Sequence, residues 1–262
     1  MEAINLLHTH LMDECPFIHG KRLQSVIDVA CSLQKKQNLS LTAIGKGLAG
    51  ETSLKHKIKK VDRLEGNKHL YEEIGSIYTG LSSFLFQYLV FQEDSPVLID
   101  LCYLKDDHEI QMLSAEIALK GRSIPLYREV FGSGGLSGRA SSFLHGLKHC
   151  ISKNKTVIFI MDAGFGEDWL KAIEVLGWFW LTRIRQGKML KLEEDEEWIT
   201  VKDFIPQISE KTKSYNQAFI MKDHNRACRV ITTRKSPGEK RNPSRPPRND
   251  KAGRNHYRRL AR

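Results

Sequence analysis

Two short apolar runs that each stop at an aspartate are the feature that most constrains this chain. Pro96-Val97-Leu98-Ile99 runs into Asp100, and Thr156-Val157-Ile158-Phe159-Ile160-Met161 runs into Asp162. Apolar, β-rich runs of this length bounded by turn formers predict strands buried on both faces. Ligands collect where parallel strands end, so neighbouring strands would deliver both carboxylates to one crevice. Such a pair suits a hard cation, Mg²⁺ or Mn²⁺, and metal-assisted phosphoryl chemistry beside a polyanion is its commonest use. Asp is also an ordinary turn and N-cap residue, so each one taken alone reads more readily as a strand terminator.

The surrounding pattern narrows the fold class to α/β. Strands are predicted at Ile110 to Leu119 and Ile124 to Phe131, separated by Gly121-Arg122-Ser123. A Gly/Ser loop from Gly132 to Gly138 follows, then a helix from Ser141 to Ser152 with Phe143, Leu144, Leu147 and Ile151 on one face. Beyond Asp162 come a helix over about Asp168 to Leu176 and a strand at Trp178 to Ile184. Three strands, helix, strand, helix, strand is the order of a ribonuclease-H-like mixed sheet, a fold in which carboxylates on adjacent strands cut or join nucleic acid.

The segment before the first Asp reads as all helix. Leu23, Val26, Ile27, Ala30 and Leu33 form one stripe, and Leu70, Ile74, Ile77, Leu81, Phe84, Leu85, Tyr88 and Leu89 a longer one. Between them Ser40 can cap a short helix, Gly50 permits a turn, and Thr52 or Ser53 can cap the next helix, which resembles a helix-turn-helix. With Leu54, Ile58, Val61 and Leu64 facing inward, that second helix turns Lys55, Lys57, Lys59, Lys60 and Arg63 outward. A basic outer face of this kind fits a DNA groove, and it also fits a face that is merely solvated.

These residues carry a family resemblance. Ile99-Asp100 followed by Glu116 to Tyr127 (EIALKGRSIPLY) resembles the first catalytic block of bacterial DDE transposases of the insertion-sequence-four family, the transposon-ten type. Ile160 to Phe165 (IMDAGF), with Leu176 to Arg185 (LGWFWLTRIR), resembles the second. Leu41 to Ala49, which contains Lys46, together with Lys55 to Leu64 and Gly66-Asn67, is similar to that group's leading DNA-binding region. The resemblance is collinear from about residue 5 to about residue 260.

It implies that Asp100 and Asp162 are catalytic metal ligands for Mg²⁺ (or Mn²⁺), and that Lys46, Lys55, Lys57, Lys59, Lys60 and Arg63 contact DNA. Arg183 and Arg185, at the end of a strand near the crevice, are candidate phosphate clamps. The implied partners are double-stranded DNA, as transposon ends and target, and a second copy of the chain on DNA. The implied activity is metal-dependent DNA cleavage and strand transfer. Two departures stand out. The family follows its first Asp with Trp and a small hydroxyl residue, where this chain has Leu101-Cys102. The family's third carboxylate, a Glu in a Tyr-two-Arg-three-Glu spacing, has no counterpart here, since Tyr127-Arg128-Glu129 is mis-spaced and Tyr257-Arg258-Arg259 runs into Arg262. The alternative reading is therefore a catalytically inactive, truncated remnant that acts only as a DNA-binding protein or inhibitor.

Charge distribution fits a nucleic-acid partner. The net charge is +10, and eleven Lys/Arg against Glu239 and Asp250 lie between Arg234 and Arg262, so the tail holds nearly all of it. Such an Arg-, Pro- and Asn-rich stretch is expected to be disordered when free and to act as a phosphate-binding arm or a solvated end. The expected domains are residues 1–93, a helical DNA-binding domain; 94–187, the ribonuclease-H-like core; 188–233, a partial β-rich insertion with strands at Trp198 to Phe204, Ala218 to Met221 and Arg229 to Thr233; and 234–262, the basic tail. Five scattered cysteines without a Cys-x-x-Cys pair point to a reduced compartment without a thiolate zinc site. No signal peptide or membrane span is expected, and the resemblance implies a location in the bacterial cytoplasm, at the nucleoid. His145 and His149, one helical turn apart, lack the Glu of a metalloprotease motif, and the Gly132 to Gly138 loop lacks the Lys and Ser/Thr of a phosphate loop.

Overall fold

Alternating burial organises the centre of the protein. The computed structural model describes residues 2–88, 96–104, 107–119, 121–151, 156–192, 197–209 and 211–233. It divides into two compact units, Met1–Arg183 and Ile184–Arg262. In the first, five strands form one mixed sheet: β1 (Pro96–Tyr103), β2 (Ile110–Leu119), β3 (Arg122–Gly132), β4 (Ile158–Met161) and β5 (Phe179–Thr182), in the spatial order β3-β2-β1-β4-β5. The first three are antiparallel neighbours, while β4 and β5 run parallel to β1. A parallel return needs a crossover, and α6 (Ala140–His149) lies between β3 and β4 while α7 (Glu167–Val175) lies between β4 and β5.

Before the sheet come α1 (Glu2–Glu14), α2 (Gly20–Lys36), α3 (Leu41–Gly47), α4 (Leu54–Glu65) and α5 (Lys68–Tyr88). Leu11, Cys15, Ile18, Leu23, Ile27 and Ile77 join α1, α2 and α5 in one apolar cluster. Ile44, Leu48 and Val61, with Val29, Leu33 and Leu41 against them, join α2, α3 and α4 in another. Close approach in the second cluster depends on two glycines. A Cβ on Gly45 would stand 2.8 Å from a side-chain carbon of Ile58 on α4, and one on Gly47 would meet the Ser32 hydroxyl on α2. That hydroxyl is buried and donates to the Ile44 carbonyl at 2.6 Å.

A ladder of rings ties the helices to the sheet: Tyr78 on α5 against Tyr127 on β3 (5.3 Å), Tyr127 against Phe143 on α6 (5.2 Å), and Phe143 against Trp169 on α7 (5.9 Å). Beneath it, Val97, Ile99, Leu113, Ala115, Ile117, Phe159 and Met161 are all buried on one face. The opposite face differs from expectation. β1 and β4 are buried on one side only, with Leu98, Ile158 and Ile160 half-buried and Asp100 exposed. On β5, Phe179 is 61% exposed and Leu181 51%. Among the described residues this side of β1, β4 and β5 is less buried than the other, so an all-apolar run does not imply two equally covered faces here.

The second unit holds an antiparallel sheet in the order β7-β6-β8-β9: β6 (Met189–Lys191), β7 (Ile199–Thr200), β8 (Lys213–Ile220) and β9 (Arg226–Thr232). The strand expected over Trp198 to Phe204 shrinks to β7, followed by a helical turn, α8 (Val201–Phe204). Thr200 Oγ1 accepts from the Asp203 amide at 3.1 Å, so a Thr-x-x-Asp capping pair starts the helix and ends the strand. The expectation of a disordered basic tail at 234–262 falls outside the described residues. Among the described residues no helix is long and apolar enough to cross a membrane.

Candidate functional site

The register of β1 and β4 positions the two aspartates. Their parallel ladder ends at Ile99 opposite Met161, so Asp100 and Asp162 each follow directly on the last registered pair, at the same end of neighbouring strands. Adjacent strands lie about 4.8 Å apart. Asp162 leaves β4 here, but Asp100 does not close its strand, because β1 continues pairing with β2 as far as Tyr103 opposite Gln111. An antiparallel partner that outruns the parallel one makes Asp100 a mid-strand residue on one side and a strand-end residue on the other. Both aspartates are exposed. Asp100 Oδ1 accepts from the Leu101 amide at 2.9 Å, and Asp162 Oδ1 from the Gly164 amide at 2.6 Å. The Thr182 hydroxyl donates to the Asp162 carbonyl at 3.0 Å, which ties the end of β4 to β5, where Arg183 follows as an exposed residue.

A polar row continues across the sheet from Asp100. Its partner on β2 is Ser114, whose partner on β3 is Arg128. Arg128 donates from Nε to Ser114 Oγ at 3.0 Å and from Nη2 to Glu116 Oε1 at 2.7 Å. Ser114 and Ser123 also donate to Glu116. Partial burial pushes the Glu116 carboxyl up, but the Ser123 and Ser114 hydroxyls and the Arg128 guanidinium outweigh it and bring the pKa down to about 2. Glu116 is thus an engaged carboxylate, whereas among the described residues Asp100 and Asp162 accept from local backbone donors. Period-two alternation along β2 is the signal that places Ser114 and Glu116 together on one face. A bulge between Ala115 and Glu116 hides their pairing with Arg128 from any count of residues.

Asp100 and Asp162 are the residues that would hold a divalent ion here, and Mg²⁺ is commonly held by one or two carboxylates while keeping its remaining waters. Among the described residues no group of three or more His, Cys, Asp or Glu side chains able to hold a metal occurs. His145 and His149 have ring centroids 5.1 Å apart on the exposed side of α6 and form no such group.

The basic residues separate into engaged and disengaged ones. Lys55, Lys59 and Arg63 are exposed along α4. Lys60 pairs with Asp28 on α2 at 2.6 Å. Lys57 is not directed outward as expected: its Nζ donates to the Leu48 carbonyl at 2.9 Å, where it closes the carboxyl end of α3. Of the four apolar residues on α4, Val61 is buried, Ile58 and Leu64 are half-buried, and Leu54 is exposed. Lys46 is exposed in the last turn of α3, and Arg185 is an exposed residue of the second unit. α2 adds two cations that helix periodicity alone did not single out, Lys21 and Arg22, the latter bonded to Glu73 on α5. Comparison with protein-family models, curated proteins and solved structures finds no match.

Proposed function

We propose that this chain is a transposase-type DNA-processing protein, in which the α2 to α4 region holds duplex DNA and Asp100 with Asp162 binds the divalent ion of a DNA-cleaving centre. One observation carries the reading: two carboxylates at the same end of adjacent parallel strands, on the uncovered side of the sheet. The succession of three strands, helix, strand, helix, strand within one sheet supports a ribonuclease-H-like core. In that reading Asp100 and Asp162 hold the ion, which neutralises charge at a phosphodiester and activates water when bound. Arg128 and the two serines fix Glu116, leaving the aspartates as the available anionic ligands. Exposed Lys55, Lys59 and Arg63 keep the duplex on the protein, and the cytoplasmic nucleoid is where such a protein would act.

A second reading, a DNA-binding remnant without catalysis, is favoured by the lack of a third acidic ligand among the described residues. Loose placement of a reacting group by about 1 Å costs ~100-fold in rate, so strand joining is not expected from two carboxylates alone. The deciding experiment incubates the purified chain with supercoiled plasmid in Mn²⁺ and scores nicked and joined products. Slow nicking that disappears in Asp100→Asn and Asp162→Asn supports the centre. Nicking that survives both substitutions overturns it, and duplex binding with no nicking at all selects the remnant.

A further inference from the structure

A recess of about 370 Å³ opens between α2 and α4, with Lys21, Arg22, His56, Lys59, Lys60 and Arg63 among its lining residues and no carboxylate. Two of these cations are already neutralised, Arg22 by Glu73 and Lys60 by Asp28. Lys21, Lys59 and Arg63 form no ion pair among the described residues. Lys21 also sits in the first turn of the 17-residue α2, which has no acidic residue there, so the positive end of the helix dipole adds to the same corner. Three uncompensated cations in a concave, partly apolar setting raise the local potential and attract an anion.

We propose that this recess grips one backbone phosphate of duplex DNA, with Lys21 from α2 opposite Lys59 and Arg63 from α4. This rests on the DNA-binding reading above and deepens it by assigning one phosphate contact to Lys21 and its recess. The Arg63 fork matches two phosphoryl oxygens, and the lysines supply compact charges. A polymer is favoured over a free phosphate because the basic row continues outside the recess. Lys55, Lys59 and Arg63 recur every four residues along α4, a span of about 12 Å at 1.5 Å per residue, so several phosphates in series meet the same helix. The two ion pairs brace the walls: Asp28 holds Lys60 of α4 against α2, and Glu73 holds Arg22 of α2 against α5. A pocket built from two braced helices fixes where the duplex sits, whereas scattered lysines would set affinity alone.

The test measures binding of a fluorescent 20-base-pair duplex of arbitrary sequence against salt concentration, for the full chain and for Lys21→Glu, Lys21→Ala and Lys171→Ala. Lys21 is exposed, so its substitutions are expected to fold, and an unchanged melting temperature checks this. Lys21→Ala is expected to weaken binding severalfold and lower the salt slope by about 0.9, the contribution of one phosphate contact. Lys21→Glu is expected to weaken it further, and Lys171→Ala, on α7, to leave it unchanged. Wild-type affinity and slope in both Lys21 variants would overturn the pocket while leaving DNA binding intact. Failure of the wild-type chain to bind any duplex would overturn both. A parallel arm uses inorganic pyrophosphate alone: a Lys21-dependent rise in melting temperature without duplex binding would assign the recess to a small phosphate ligand instead.

Discussion

The two faces of the five-stranded sheet come from the same residues taken alternately, yet they behave as different materials. On one, Val97, Ile99, Leu113, Phe159 and Met161 are sealed beneath aromatic rings from α5, α6 and α7. On the other, Asp100, Glu116 and Arg128 stand among half-buried Leu98 and Ile160 and exposed Leu181. Burial on the first face removes apolar area from water and supplies the stability. Openness on the second avoids the cost of burying unpaired charge. The contrast explains why a candidate metal centre lies one residue beyond some of the most deeply buried strand positions: the buried face fixes the backbone that the open face uses.

The largest test of this division is Phe159→Ala. Phe159 is fully buried and packs 5.3 Å from Trp178, so truncation is expected to cost about 3–5 kcal/mol, read as a shift in the urea unfolding midpoint. A cost below about 1 kcal/mol would mean that the packed face does not carry the stability.

The next largest effect is expected from a metal titration of the proposed centre. Mn²⁺ at ten times its dissociation constant is expected to stabilise the wild-type fold by about 1.4 kcal/mol, and Asp162→Asn to remove most of that gain. An equal rise in melting temperature in both proteins would place the ion elsewhere.

Glu116 makes a smaller, pH-dependent contribution. Its folded pKa of about 2 lies below the unfolded carboxylate value of about 4.3, so its ion pair and hydroxyl bonds stabilise the fold above that value. This stability is lost as pH falls from the unfolded value through about 2. Because Glu116 and Arg128 are partly exposed, the effect is expected to stay below about 1 kcal/mol. Unfolding of Glu116→Gln beside wild type from pH 6 to pH 2 measures it, and the gap between the two curves should narrow toward acid. A gap that widens instead would give the shift the opposite sign.

The smallest effect is expected from Leu181→Thr. With half its surface already in water on the open face, this substitution should change stability by no more than about 0.5 kcal/mol in urea unfolding. A loss of 2 kcal/mol or more would show that something covers that face in solution.

Particular elements show why some of this was legible. β2 runs from Ile110 to Leu119 as expected, because the span is rich in apolar residues and the Gly121-Arg122-Ser123 turn follows it. The helices α3 and α4 follow Ser40 and Ser53: Ser40 Oγ accepts from the Ala43 amide, whereas the Ser53 hydroxyl makes no cap bond and is hydrogen-bonded to the His56 ring instead. Lys57 was misread because helix periodicity assigns a face but not the carbonyl a long flexible side chain will find. The Val201–Phe204 turn was missed although Thr200 and Asp203 have capping spacing, since β-branched residues at 199 and 200 favour a strand and the cap decides between the two.

The amino-acid sequence by itself determined the mixed α/β character, the order of the elements and the two carboxylates that follow apolar runs. Local forces write these: alternation, caps and turn residues act over a few positions and are visible in a linear text. Only the tertiary structure decided that β1 outruns β4 past Asp100, that a bulge delivers Arg128 to Ser114 and Glu116, that one sheet face stays open, and that Lys21 joins Lys59 and Arg63 around one recess. Each of those depends on which distant segment arrives as a neighbour and in what register. Register is set by packing across the whole sheet, and a shift of one residue would exchange the two faces.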